Sequence, residues 1–240
     1  RPFIHMMYAA IYGRPGAESD KQPPTNCIWT RQIQIPLQWL IAFISGQSGN
    51  LRRELSLDAY LRRGKSVLLT TDASPYGLGA VLVIDGTIAA WLSCHICNMD
   101  RTILGLQMEP SCRDQQALEA LAVLVSLREF ATYWKKERIT LSIRTDNMAS
   151  LVMLTKMQPH SHQLGIVARE LALDISDAVF CPEIVQHIPG ISNVAADALS
   201  RKGDPHKKVA VPSYLTESTK HVCSIRNKSW WRSLVLPAQP

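Results

Sequence analysis

The sequence predicts an α/β fold: a five-stranded mixed sheet, with three antiparallel strands first and parallel additions after them, flanked by helices. The first observation is a set of three short apolar runs within residues 67–93, separated by the turn signals Ser74-Pro75-Tyr76-Gly77 and Asp85-Gly86. Such runs predict strands joined by hairpins. The second observation is an alternation of helical stretches with short apolar runs over residues 113–201, which is typical of parallel strands connected by helices.

Each element follows from its own pattern. Residues 113–134 are apolar on nearly every face of a helix, so we expect this helix to be buried in the centre of the fold. Pro189-Gly190 ends the last strand, because proline lacks the amide that a ladder needs and glycine favours turns. The predicted strands are residues 67–71, 80–84, 87–93, 139–145 and 183–188, and the predicted helices are residues 113–134, 147–157, 162–178 and 192–201.

Composition and charge divide the 240 residues into a helical segment, 1–65, an α/β domain, 66–203, and a basic irregular tail, 204–240, whose Trp230-Trp231 pair is expected to dock locally. Lys and Arg outnumber Asp and Glu by nine to four in residues 1–66 and by six to two in residues 204–240, whereas acids lead by fourteen to eleven in residues 67–203. An acidic centre between basic flanks suits a metal site whose surroundings attract a polyanion. Solvated charged faces would give the same totals.

The distribution of polar and apolar residues along the sequence argues against a membrane protein and against a secreted one. The longest uncharged stretch, residues 32–51, is interrupted by many polar residues and is too polar to span a bilayer. The chain starts without a basic segment followed by an apolar run, so no secretory signal is predicted. We therefore expect an intracellular protein, cytoplasmic or nuclear, with no membrane partner.

The six cysteines are scattered along the chain, which favours reduced thiols over a disulfide framework. Cys94-His95-Ile96-Cys97 has the spacing of a metal-ligand pair. A structural zinc site needs a second pair at a matching spacing, and none follows. Thiols that pack as small apolar side chains are the better interpretation.

Four acids are candidate metal ligands: Asp72, Glu119, Asp146 and Asp197. Asp72 could form an Asx-turn, Asp146 could cap a helix and Asp197 could be a solvated acid. Glu119 is harder to explain in these ways, because it lies in the almost wholly apolar helix, where an ionised carboxylate is costly without a positive partner. A cluster of carboxylates favours two Mg²⁺ or Mn²⁺ ions over zinc, and two such ions support phosphodiester hydrolysis.

Four motifs resemble the ribonuclease H domain (type 1 like) of retroelement reverse transcriptases over residues 66–203. They are Thr71-Asp72-Ala73-Ser74 with Gly77 and Gly79, Glu119-Ala120-Leu121-Ala122-Val123 with Leu127 and Phe130, Thr145-Asp146-Asn147, and the segment 187–201, HIPGISNVAADALSR, which is the most specific. The resemblance implies the βββαβαβα order of a ribonuclease H-like fold. It also implies metal ligation and catalysis by Asp72, Glu119, Asp146 and Asp197, with hydrolysis of the RNA strand of an RNA–DNA hybrid.

The resemblance also suggests partners and substrate contacts. Residues 1–65 look similar to the connection region that joins the polymerase and ribonuclease H domains in such elements, in particular those of the tyrosine-recombinase type. This resemblance implies a polymerase domain of the same polyprotein as partner. Arg52, Arg53, Arg62 and Arg63 would then position the hybrid. Ser74 and Asn147 are candidate substrate-binding residues, with turn and cap roles as the alternatives.

Two features depart from the family pattern. Cellular enzymes carry a histidine in the loop before the last aspartate, whereas residues 191–196 contain none, and His187 on the preceding strand is expected to be structural. The YxDD signature of a polymerase is absent from the 240 residues. Two other interpretations remain: a catalytically decayed module that binds nucleic acid or acts as a scaffold, and an unrelated α/β interaction domain, which leaves Glu119 unexplained.

Overall fold

The computed structural model describes residues 2–12, 27–28, 30–48, 61, 64–107, 112–134, 139–147, 150, 152, 156–157, 159, 161–177 and 182–234. Most of the predicted helix 147–157 lies outside these residues, as do Arg52, Arg53, Arg62 and Arg63. Among the described helices, none is long and apolar enough to cross a membrane.

A mixed sheet forms the centre of the molecule. Its strands are β1 (Lys65–Ser74), β2 (Gly77–Ile84), β3 (Thr87–Cys94), β4 (Ile139–Thr145) and β5 (Pro182–His187), and they pair in the order β3-β2-β1-β4-β5. The pairs β1–β2 and β2–β3 are antiparallel, whereas β1–β4 and β4–β5 are parallel. The predicted α/β class, with antiparallel strands first and parallel additions after them, is thus confirmed.

The turn between β2 and β3 has the chemistry that the sequence predicted. Asp85 and Gly86 have φ angles of 47° and 81°. Two successive left-handed residues match the right-handed twist of the flanking strands, and aspartate and glycine adopt this conformation more readily than other residues. The Asp85 carboxylate also accepts a hydrogen bond from the Ser66 amide at 2.8 Å, which ties the turn to β1.

Helices flank the sheet, and several differ in length from those predicted. The predicted helix 113–134 ends as an α-helix at Glu129 and continues as the 3₁₀ turn Phe130–Tyr133, and the predicted helix 192–201 is shortened by the 3₁₀ turn Gly190–Ser192. The helices are α1 (Pro2–Tyr12), α2 (Thr30–Ile44), α3 (Asn98–Leu104), α4 (Cys112–Glu129), α5 (His162–Asp177) and α6 (Val194–Ser200).

α3 was not predicted, because its seven residues show little apolar periodicity. Its start is fixed by a capping box: the Cys97 sulfur accepts from the Asp100 amide, and the Asp100 carboxylate accepts from the Cys97 amide. These reciprocal bonds satisfy donors that the first turn of a helix leaves free. Cys97 therefore has a capping role.

The two faces of the sheet bury different helices, as the alternation of side chains along a strand requires. One face packs Leu69 and Leu82 against α4, whose residues Leu121 to Val125 are fully buried. The opposite face packs Val81 and Trp91 against Leu199 of α6. The expectation that the apolar helix is buried at the centre is therefore confirmed.

The described part of the tail, residues 204–234, has short 3₁₀ turns and no strand or α-helix, and it makes several contacts with the domain. Trp231 is fully buried and belongs to the main core cluster. The Arg226 guanidinium donates to both oxygens of the buried Asp100 carboxylate, at 2.7 to 3.2 Å. The Ser233 amide and hydroxyl both donate to Glu170 of α5, at 2.7 and 2.6 Å.

The N-terminal helices contact the domain through a small aromatic cluster. Phe3 of α1 and Trp39 of α2 pack with Leu173 of α5. The Trp39 indole donates to the Ser233 carbonyl at 3.1 Å. The first and last segments of the chain therefore meet on α5.

Candidate metal centre

Two of the four predicted ligands stand at the ends of neighbouring parallel strands. The β1–β4 ladder runs to the pair Thr70–Arg144. Asp72, within β1, and Asp146, the residue directly after β4, each follow that pair by two residues. Because parallel strands in register keep the same offset, their carboxylates are brought to the same end of the sheet. Asp72 is buried and Asp146 is partly exposed.

Glu119 reaches the same place from α4, which packs on β1. Its side chain is only 3% exposed. Gln115, one turn earlier on α4, donates its side-chain amide to the Ala73 carbonyl at 2.7 Å and to Glu119 Oε1 at 2.8 Å. Gln115 therefore fixes both the helix and the Glu119 side chain against the strand that carries Asp72.

One carboxylate oxygen from each of Asp72, Glu119 and Asp146 lies within 4.8 Å of the others. Three acids at this separation repel one another, and burial removes the water that would screen them. Burial above all, together with the nearby carboxylates of Asp72 and Asp146, raises the pKa of Glu119 to about 9. Burial likewise raises the pKa of Asp72 to about 7, although a hydrogen bond from Ser200 acts in the opposite direction.

The donor set fits a hard divalent cation. Its ligand atoms are all carboxylate oxygens, the type that Mg²⁺ and Mn²⁺ prefer. Glu119 Oε2 is buried and has no hydrogen-bond partner among the described residues. A buried acceptor without a donor is costly, and a bound cation would satisfy it.

Asp197, the fourth predicted ligand, lies in the first turn of α6. It is not part of the three-acid group, but it is near enough for its charge to raise the pKa of Asp72. Its side chain is 44% exposed and accepts a hydrogen bond from Arg201 Nε at 2.5 Å. Asp197 thus borders the cluster and is paired with Arg201.

The close approach of α6 to the sheet explains the glycines in the first motif. A Cβ on Gly79 would overlap the Ala196 carbonyl, and one on Gly77 would lie 3.0 Å from the Ser200 carbonyl oxygen of α6 and 2.8 Å from the Cys94 carbonyl oxygen of β3. Only residues without a side chain let the helix lie this close to β2. Asn193, just before α6, donates its side-chain amide to the Thr71 carbonyl at 3.0 Å, next to Asp72.

The two candidate substrate-binding residues have internal contacts. The Ser74 hydroxyl is buried, donates to the Ser200 carbonyl at 2.8 Å and accepts from the amide of Tyr76 at 3.1 Å. Asn147 Oδ1 accepts from the Ser150 amide at 3.0 Å. The buried hydroxyl of Ser74 thus bonds to the end of α6 and to the turn that follows β1.

His187 is exposed at the end of β5 and donates from Nε2 to the backbone carbonyl of Asp146 at 2.9 Å. This contact holds the backbone at the end of β4. It agrees with the structural role that the sequence indicated.

Sequence reasoning assigned no role to Gln115, Asn193 or Ser200. Gln115 precedes Glu119 by four residues and therefore shares its helix face, which is a signal that the sequence contained. The contacts of Asn193 and Ser200 join residues more than 120 positions apart. No local pattern marks such contacts.

Comparison with protein families found no matching family model, and comparison with curated proteins found no match. Among solved structures, the chain is similar to an RNase H1 isolated from compost by a metagenomic approach, with 18% identity over 57% of this chain and 94% of that one, and a TM-score of 0.46. It is also similar to RNase H1 from the halophilic archaeon Halobacterium salinarum, with 22% identity over 59% of this chain and 99% of that one, and a TM-score of 0.42. Both TM-scores are below 0.5, so what this chain does is inferred from its own residues.

Proposed function

We propose that this chain hydrolyses the RNA strand of RNA–DNA hybrids in a reaction that depends on two divalent ions, Mg²⁺ or Mn²⁺, and that it belongs to a retroelement reverse transcriptase. The observation that carries the proposal is the cluster of Asp72, Glu119 and Asp146, whose ligand oxygens lie within 4.8 Å of one another. The hybrid substrate and the reverse-transcriptase context are supported by the motif of residues 187–201.

In this proposal Asp72, Glu119, Asp146 and Asp197 would together hold the two ions. Ions bound there would lower the pKa of the attacking water and stabilise charge on the leaving oxygen. The protein's own contribution is to hold the carboxylates in place before substrate binds. Gln115 orients Glu119, and His187 holds the backbone of Asp146.

The pairing of Asp197 with Arg201 has a direct consequence for this arrangement. Arg201 Nε lies 2.5 Å from Asp197 Oδ1, and both side chains are 44% exposed. An exposed pair of this kind is worth about 1 kcal/mol or less, so a cation with a double charge can displace the guanidinium.

The test is cleavage of a hybrid with labelled RNA in Mg²⁺ or Mn²⁺, with single-stranded RNA and duplex DNA as controls. Asp72→Asn should abolish cutting while the protein remains folded. Asp85→Asn is the matched control, because Asp85 lies in the β2–β3 turn, keeps an acceptor for the Ser66 amide as asparagine, and has a φ of 47° that asparagine tolerates. Cutting by both variants, or by neither the variants nor the wild type, would contradict the proposal.

A decayed module that binds hybrids without cutting them is the second candidate. It is favoured by the position of Asp197, which is paired with Arg201 and lies outside the three-acid group. This candidate predicts salt-dependent hybrid binding by the wild type, because phosphate contacts release counterions, with no cleavage at any metal concentration. Hybrid cleavage that is lost in Asp197→Asn would rule it out.

A further inference from the structure

α6 is fastened to the sheet by polar side chains of the strands. The Ser93 hydroxyl of β3 donates to the Leu199 carbonyl at 2.7 Å, and the Ser74 hydroxyl of β1 donates to the Ser200 carbonyl at 2.8 Å. These bonds satisfy carbonyls at the C-terminal end of α6, which a helix cannot pair internally. They fix where the helix ends relative to β1.

A further bond from this helix end reaches the carboxylate cluster itself. The Ser200 hydroxyl lies 2.5 Å from Asp72 Oδ2 and 2.9 Å from the Asp197 carbonyl. A hydroxyl has one hydrogen to donate, and an ionised carboxylate is a stronger acceptor than a backbone carbonyl. Ser200 is 1% exposed and Asp72 is 4% exposed, so water competes little for either group.

We propose that Ser200 is a positioning residue of the metal centre: its hydroxyl holds the Asp72 carboxylate in the orientation that a divalent cation needs and ties it to the helix that carries Asp197. The bond occupies one lone pair on Oδ2, and the remaining lone pairs of the carboxylate stay available to a cation. This inference rests on the proposed function in so far as it takes the three-acid cluster to be a metal site.

The physical reason lies in the rotation of the aspartate side chain. The terminal torsion of an aspartate is broad, so its carboxylate turns easily unless a neighbour fixes it. Groups that bond to a ligand in this way orient it, and their loss typically weakens metal binding about 10- to 100-fold. Ser200 makes such a bond to Asp72, because its hydroxyl donates to Asp72 Oδ2.

The test measures Mn²⁺ and Mg²⁺ binding to the full chain without nucleic acid, by calorimetry and by the rise in melting temperature that the metal produces. Ser200→Ala should weaken binding about 10-fold, whereas Ser200→Thr, which keeps the hydroxyl, should retain wild-type affinity. Ser200→Cys keeps the size and weakens the donor, so it tests the same point if the alanine variant folds poorly.

Ser93→Ala is the matched control, because it removes a hydroxyl that fastens the same helix without contacting Asp72. A loss of affinity in Ser200→Ala and Ser200→Cys but not in Ser93→Ala supports the inference. Wild-type metal affinity in both Ser200→Ala and Ser200→Cys overturns the inference. An equal loss of affinity in Ser93→Ala also overturns it, because such a loss would come from a loosened α6.

Hybrid cleavage is measured separately, so the two proposals can fail independently. If the wild type binds Mn²⁺ but cuts no hybrid, and Ser200→Ala binds Mn²⁺ more weakly, the positioning role is supported and the proposed nuclease activity is overturned. A wild type that cuts hybrids while Ser200→Ala binds metal normally would overturn the positioning role alone. A wild type that binds neither ion would overturn this inference.

Discussion

Replacing Glu119 by glutamine should stabilise the metal-free protein. Burial, together with the nearby Asp72 and Asp146 carboxylates, raises the pKa of Glu119 from 4.5 to about 9. At pH 7 the folded protein must therefore take up a proton that the unfolded chain has released. Each pKa unit corresponds to about 1.4 kcal/mol, so keeping this carboxyl protonated at pH 7 costs about 3 kcal/mol.

The glutamine variant avoids this cost because its amide is neutral at every pH. Its oxygen can still accept the hydrogen bond that Gln115 donates to Glu119 Oε1. We expect Glu119→Gln to raise the free energy of unfolding by about 3 kcal/mol at pH 7, which for a chain of this length corresponds to a rise in melting temperature of roughly 6–12 °C.

The sign of the pH dependence follows from the direction of the pKa shift. Below about pH 4.5 the carboxyl is protonated in both states, and wild type and variant should differ little. As the pH rises, the unfolded chain releases the proton and the folded protein keeps it, so the wild type loses stability relative to the variant. The difference should grow until about pH 9, where the folded carboxyl ionises as well.

The assay is urea denaturation monitored by tryptophan fluorescence. It is carried out in the presence of a metal chelator at several pH values between 5 and 8. Glu217→Gln is the control: its side chain is 75% exposed, and a surface change of this kind should alter stability by no more than about 0.5 kcal/mol. Adding Mg²⁺ should shrink the advantage of Glu119→Gln, because a cation that binds only the folded wild type stabilises it. A variant less stable than wild type at pH 7, or a gain that stays constant from pH 5 to 8, would refute the reasoning.

Three further changes test the packing around the site, each by urea denaturation. Gly79→Ala should destabilise the protein by about 1–3 kcal/mol, because the added methyl overlaps the Ala196 carbonyl; an unchanged midpoint would show that α6 does not lie this close to β2. Arg226→Ala should cost about 3–5 kcal/mol, because it leaves the buried Asp100 carboxylate unpaired, and a loss below about 1 kcal/mol would mean that this pair is solvated. Trp231→Ala should cost about 3–5 kcal/mol as a large core side chain is lost, whereas a tail that is merely attached to the surface would tolerate it.

The positions of the first three strands along the chain could be predicted because they are encoded locally. The apolar runs that became β1, β2 and β3 and the Asp85-Gly86 turn depend on residues that are neighbours in the chain. Burial of α4 followed from its apolar composition alone. The ends of helices were less predictable, since a single 3₁₀ turn or capping bond moves a boundary by a few residues.

For the candidate site, the sequence supplied the chemistry of the ligands and the structure supplied their distances. The motifs singled out Asp72, Glu119, Asp146 and Asp197, and the structure gathers the first three while it pairs the fourth with Arg201. In the structure the hydroxyl of Ser74, a candidate substrate-binding residue, donates to the Ser200 carbonyl of α6.

What the sequence by itself determined about this protein is the type and order of its elements and which acids are candidate metal ligands, because hydrophobic period, turn residues and motifs are properties of short segments. Only the tertiary structure decided that Trp231 enters the main core, that Arg226 pairs with Asp100 and that Ser200 bonds to Asp72. The last two contacts join residues separated by more than a hundred positions. The burial of Trp231 depends on the whole core being assembled. The register of strands and the close approach of α6 bring them together, and no local pattern in the chain contains that information.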